Sequence, residues 1–211
     1  SATASAVITP ALFGGLWDAV AGRPSSPQPS VTDSATPRAV ELARKSNRSG
    51  SISLEVPRGW ATTSNSIHNP FGERTPGDAF AAGVDPAGAP SVAVSRIWVA
   101  ASIDGLERMK AIDPDPEVAA REQLDQVDWQ TEGCQLAGIT PFPGDALRGS
   151  MRKWVGCNGL DDQTFWEAWI LTADQRAAVL IQFDIRAFDL DEATALLVLE
   201  SIVIDPSRLS G

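Results

Sequence analysis

Residues 164–185 read TFWEAWILTADQRAAVLIQFDI, and their periodicity decides the fold class. Trp166, Ala168 and Ile170 alternate with Phe165, Glu167, Trp169 and Leu171, so one strand is largely apolar on both faces. Ala173-Asp174-Gln175 interrupts the run, and Val179, Ile181, Phe183 and Ile185 then share a face of a second strand. Strands of this kind sit inside a layered fold, because neither face is left to water.

The pattern extends in both directions. Thr131–Ile139 and Ala146–Cys157 read as two preceding strands, folded over at Pro141-Phe142-Pro143-Gly144-Asp145. Asn158-Gly159 predicts a two-residue hairpin turn, whose central positions need φ > 0. Downstream, Asp189 with Glu192 predicts a capping box opening a helix that runs through Leu196, Leu197, Leu199, Glu200 and Val203. Upstream, Ile52, Leu54 and Val56 alternate with Ser51, Ser53 and Glu55, and Pro57-Arg58-Gly59-Trp60 ends that strand in a turn. Residues 61–77 form a polar loop, and Ala79–Val84 and Ser91–Ala101 are two further strands. Asp113–Asp128 is a helix with Asp115 at the N-cap, Pro116 in the first turn and a stripe of Val118, Ala119, Leu124 and Val127. Ser102–Ala111 reads as an earlier helical piece capped by Asp104. The sum is an α+β fold, a mostly antiparallel sheet of six to seven strands with helices on both faces, an α/β/α sandwich. It spans residues 51–206, with 207–211 as a tail.

Residues 1–50 have a different character. Ala6–Val20 is apolar but broken by Pro10, Gly14, Gly15 and Asp18, and no window of about 18 apolar residues, the length of a membrane span, occurs in the chain. Phe13, Leu16 and Trp17 fall on one face of a short amphipathic helix, and Arg23–Pro37 is a Pro/Ser/Thr-rich linker. A tether and a docking segment both fit; the apolar face points to docking on a partner.

The formal charge of −10 repels phosphate backbones and anionic headgroups, which argues against nucleic acid and bare membrane as partners. Cys134 and Cys157 permit one disulfide; in a cytosolic protein two free thiols are equally ordinary. Their placement on either side of the Pro143-Gly144 turn favours the disulfide, because folding there brings both onto neighbouring strands. His68 is the sole imidazole, in a polar loop with no nucleophile elbow in the chain, and reads as a surface residue. One histidine and two distant cysteines do not make a zinc site, and neither a phosphate-binding glycine loop nor a calcium loop is present, so no metal or cofactor is expected. Glu167, between two indoles, is the most notable acid, and cross-strand pairing with Arg152 or Lys153 is its simplest role. Trp60 and Trp129 at element ends, with Phe71 and Phe80, are candidates to line an apolar groove.

At Ser51–Trp60 (SISLEVPRGW) and Leu199–Asp205 (LESIVID) the chain resembles the Mog1/PsbP-like fold, an opening strand with Pro-x-Gly-Trp and a closing helix ending in Ser-Ile-x-Ile. Within that fold it is most similar to the LpqN/LpqT-type lipoproteins of actinobacteria, over about residues 50–206. It departs from them in its long N-terminal segment and in having no cysteine near Ser1. The resemblance implies a secreted or envelope-associated, extracytoplasmic protein that is not an enzyme. Such a protein is a binding module or accessory subunit that docks a partner protein or a (glyco)lipid. The alternative reading is a secreted hydrolase using paired carboxylates, motivated by carboxylate abundance and Glu167.

Overall fold

Gln163–Thr172 and Ala178–Arg186 pair along their whole length, antiparallel, as the alternation of residues 164–185 requires. The structure, a computed structural model, describes residues 40–64, 71, 76–86, 94–126 and 133–210. Its strands are β1 (Leu42–Ser46), β2 (Ile52–Pro57), β3 (Ala61–Thr63), β4 (Asp78–Gly83), β5 (Arg96–Ser102), β6 (Gln135–Pro141), β7 (Leu147–Val155), β8 (Gln163–Thr172), β9 (Ala178–Arg186) and β10 (Val203–Ile204). The helices are α1 (Ile103–Ile112), α2 (Pro116–Gln126) and α3 (Glu192–Glu200). Seven strands form an antiparallel sheet in the order β3-β4-β5-β9-β8-β7-β6, and β1-β2-β10 form a second, smaller sheet. The α+β class and the antiparallel sheet therefore hold, with one small sheet more than the sequence suggests.

Each face of the large sheet has its own core. On one face, Trp166, Ala168 and Ile170 of β8 and Val179, Ile181, Phe183 and Ile185 of β9 meet Ile52, Leu54 and Val56 of β2 and Ala195, Val198 and Leu199 of α3. On the other, Leu171, Ala178, Leu180 and Ala100 lie under Leu106 and Met109 of α1 and Ala119, Ala120 and Leu124 of α2. Burying both faces is what makes β5, β8 and β9 almost continuously apolar.

Several local expectations are corrected. Residues 42–46 and 61–63 are strands, β1 and β3, though neither carries an apolar alternation strong enough to announce itself. Ser102, not Asp104, caps α1: its Oγ accepts from Gly105 N–H at 2.9 Å. Asp191, not Asp189, caps α3, accepting from Thr194 N–H at 2.7 Å, while Asp189 accepts from Ser95 N–H at 2.9 Å and ties down the start of β5. The last helix stops at Glu200, so Val203 belongs to β10, paired with Ser53. The Asn158-Gly159 hairpin turn is replaced by a 3-10 turn over Cys157–Gly159; the left-handed φ values fall on Gly156 (67°) and Gly159 (71°). Two flanking glycines let the chain reverse more gradually than a two-residue turn does.

Residues read as a C-terminal tail are also part of the fold. Leu209 is buried in the first core, and Ser210 Oγ donates to Asp78 Oδ1 at 2.5 Å. Asp78, at the start of β4, also accepts from Ser49 Oγ at 2.6 Å, from Ser51 Oγ and from Asn47 Nδ2 at 3.4 Å. One carboxylate thus gathers the β1–β2 turn, β4 and the chain's end. Burial alone raises its pKa, but the donors from Ser210, Ser49 and Ser51 outweigh that and hold it below the ordinary 3.8. The unfolded chain then takes the proton first, so Asp78's contribution is present above 3.8 and is lost as pH falls through the lower folded value. Asp78→Ala is expected to cost about 2 kcal/mol at neutral pH by orphaning its donors, with a smaller cost in strong acid. Thermal melts at both pH values check this; an equal cost at each contradicts it.

Candidate functional site

The helices α1 and α2 follow one another across a short link and rest on the same sheet face. Asp115 supports the start of α2 as expected, its Oδ1 accepting from Glu117 N–H at 3.0 Å. Between the two helices lies a cleft of about 260 Å³. Phe71, Met109, Ile112 and Trp169 supply its apolar wall, and Arg108 and Gln123 its polar groups. Phe71 stands edge-on against Trp169, with ring centroids 5.6 Å apart and planes at 88°. Arg108 Nη1 donates to the carbonyl of Phe71 at 3.3 Å, which places a guanidinium at the cleft. The described lining holds this one cation and no carboxylate, on a chain whose net charge is −10.

Gly105 explains how Phe71 reaches its seat. A Cβ there would lie 2.7 Å from Phe71 Cγ and 2.8 Å from its Cδ1. A glycine inside a helix costs roughly 0.5–1 kcal/mol relative to alanine. Here it leaves the α1 surface open for an aromatic ring.

The sequence pairs Trp60 and Phe71 as walls of one groove; the sheet separates them. Trp60 is buried in the core shared with Ile52, Leu54 and Phe80, its ring 6.3 Å from Phe183 in an edge contact, whereas Phe71 belongs to the core under α1 and α2. Phe80 goes with Trp60 and is fully buried. Phe13, Leu16, Trp17, His68 and Trp129 lie outside the described residues. The cleft residues not anticipated are Gly105, Arg108, Met109, Ile112, Gln123 and Trp169. A glycine at position 105 beside an otherwise helical GLERM run is the sequence signal that points to them.

Cys134 and Cys157 form the expected disulfide. It joins the start of β6 to the end of β7 and packs with Trp154 and Phe165 in a small core of its own. Glu167 is 2% exposed, with Arg152 directly opposite on β7 and Gln182 opposite on β9. Gln182 Nε2 donates to its Oε1 at 3.3 Å. Arg152 also bonds Asp125 of α2. Lys153, the other expected partner, faces Trp166 in register and reaches Glu192 of α3 at 2.7 Å.

Compared with protein-family models and with curated proteins, the chain matches none. Among the described residues no helix is long and apolar enough to cross a membrane. No group of three His, Cys, Asp or Glu side chains among them is placed to hold a metal ion.

Proposed function

We propose that this chain is a non-catalytic, extracytoplasmic binding or accessory protein of the bacterial cell envelope, of the Mog1/PsbP-like kind, and that it holds a lipid-like anionic amphiphile. The observation that carries this reading is the cleft between α1 and α2, with an aromatic–aliphatic wall and, in its described lining, the Arg108 guanidinium. An apolar chain gains from the wall of Phe71, Met109 and Trp169, and an acidic headgroup gains from Arg108. At about 260 Å³ the cleft lies below the usual range for drug-sized ligands, so it suits one short acyl chain. The disulfide supports an oxidising compartment, where such bonds persist. A seven-stranded antiparallel sheet with helices against both faces supports the family resemblance.

Laurate is the probe. Titration of the full chain, followed by indole fluorescence, is expected to give a Kd of about 10–100 µM. Phe71→Ala removes the wall that closes on Trp169 and is expected to weaken binding about tenfold. Arg108→Gln should weaken laurate but leave dodecanol unaffected. Equal affinities for laurate in all three proteins contradict the proposal.

A further inference from the structure

Two polar side chains stand in the described lining of the cleft, and they differ in what they already hold. Gly105, Arg108, Met109 and Ile112 follow the spacing i, i+3, i+4 and i+7, so α1 gives the cleft one face about 10 Å long. Gln123 comes from the other helix, α2. Arg108 is engaged, its Nη1 donating to the Phe71 carbonyl at 3.3 Å. The Gln123 side chain makes no hydrogen bond among the described residues. It is half-buried, so its amide is neither sealed off nor fully hydrated. The Trp169 indole N–H, by contrast, is a fully buried atom, out of a ligand's reach. The acids nearest in sequence do not line the cleft: Glu107 pairs with Lys110 at 2.8 Å, and Asp104 and Glu122 are exposed.

A glutamine amide asks for two partners, because its Nε2 donates and its Oε1 accepts. A ligand that covers this half-desolvated amide without meeting both groups loses affinity. A plain fatty acid gives its carboxylate to Arg108 but lays methylenes over Gln123. An ester beside the carboxylate offers acceptors only and leaves Gln123 Oε1 without a donor. A secondary amide in the same place offers one N–H and one C=O, the complement of the glutamine side chain. A cleft of about 260 Å³ brings Arg108 and Gln123 within the span of one small headgroup.

We propose that the amphiphile held here is an N-acylated amino acid. Its carboxylate meets Arg108, its amide meets Gln123, and its acyl chain lies against Phe71, Met109 and Trp169. Gln123 is the residue that selects this headgroup. The inference rests on the amphiphile reading above and names the chemical class of its ligand.

The test compares N-decanoylglycine with O-decanoylglycolate, which differ only by an N–H in place of an oxygen. Each is titrated into the full chain by indole fluorescence, with laurate alongside. The amide is expected to bind about tenfold tighter than the ester. Gln123→Leu, which keeps the bulk and the helix propensity, is expected to remove that difference. Arg108→Gln should weaken both ligands and preserve their ratio. If a variant fails to fold, the ratio in the unsubstituted chain decides. Equal affinities for amide and ester, with laurate still bound, overturn this inference and leave the amphiphile reading standing. An amide preference that survives Gln123→Leu overturns the role given to Gln123. Binding of none of the three ligands overturns the amphiphile reading and this inference with it.

Discussion

Phe183→Ala is expected to cost about 4 kcal/mol of folding stability, the cost typical of emptying a large aromatic site in a core. Phe183 is fully buried on β9, and two indoles close on it edge-first: Trp166 at 5.9 Å and 90°, and Trp60 at 6.3 Å and 87°. Removing the ring loses its apolar burial and both edge contacts, and the neighbouring strands cannot collapse into the space without breaking register. Since total stability is usually about 5–15 kcal/mol, a loss of this size moves a urea midpoint a long way. Phe188, 67% exposed after the end of β9, is the control, and Phe188→Ala should change stability by less than about 0.5 kcal/mol. Similar small effects for both would contradict a central β9 buried on this face.

Replacing Cys134 and Cys157 together by serine is expected to cost about 3 kcal/mol. The bond closes a loop with a sequence separation of 23, and the chain-entropy account gives that magnitude for loops of this order. The effect should be local in origin. The bond fixes the β6–β7 pair at the sheet edge, where β6 is exposed along most of its length. Trp154 and Phe165 lose a packing partner with it. Denaturant unfolding of the oxidised, reduced and double-serine proteins should give one midpoint for the last two and a higher one for the first. Coincidence of all three would mean that β6 is held by its ladder alone.

The pattern at 164–185 was legible because most apolar side chains of β8 and β9 enter a core on their own face, which makes alternation and burial agree. The two-residue disagreement at the caps has a simple origin. Aspartates at 104, 189 and 191 are all chemically competent, and only the backbone decides which oxygen faces a free N–H. β10 was hidden because Leu196–Val203 keeps an apolar content compatible with helix, and it is pairing with Ile52 and Ser53 that stops it. The cleft was half legible. Trp169 and Phe71 each stood out as aromatics, but which side of the sheet Phe71 returns to depends on the path of a loop that carries no periodicity. Trp60, one strand earlier, packs on the opposite face against Phe183. Gly105 is the one local residue that records the encounter, as an open place on a helix.

The central claim is that the cleft between α1 and α2 receives an acyl chain. Photolabelling of the full chain with a diazirine-bearing laurate, followed by peptide mapping, tests it most directly. The account predicts adducts on Phe71, Met109, Ile112 or Trp169, abolished by excess laurate. Adducts confined to the opposite face, near Trp60 and β2, or no competable labelling at all, would contradict it.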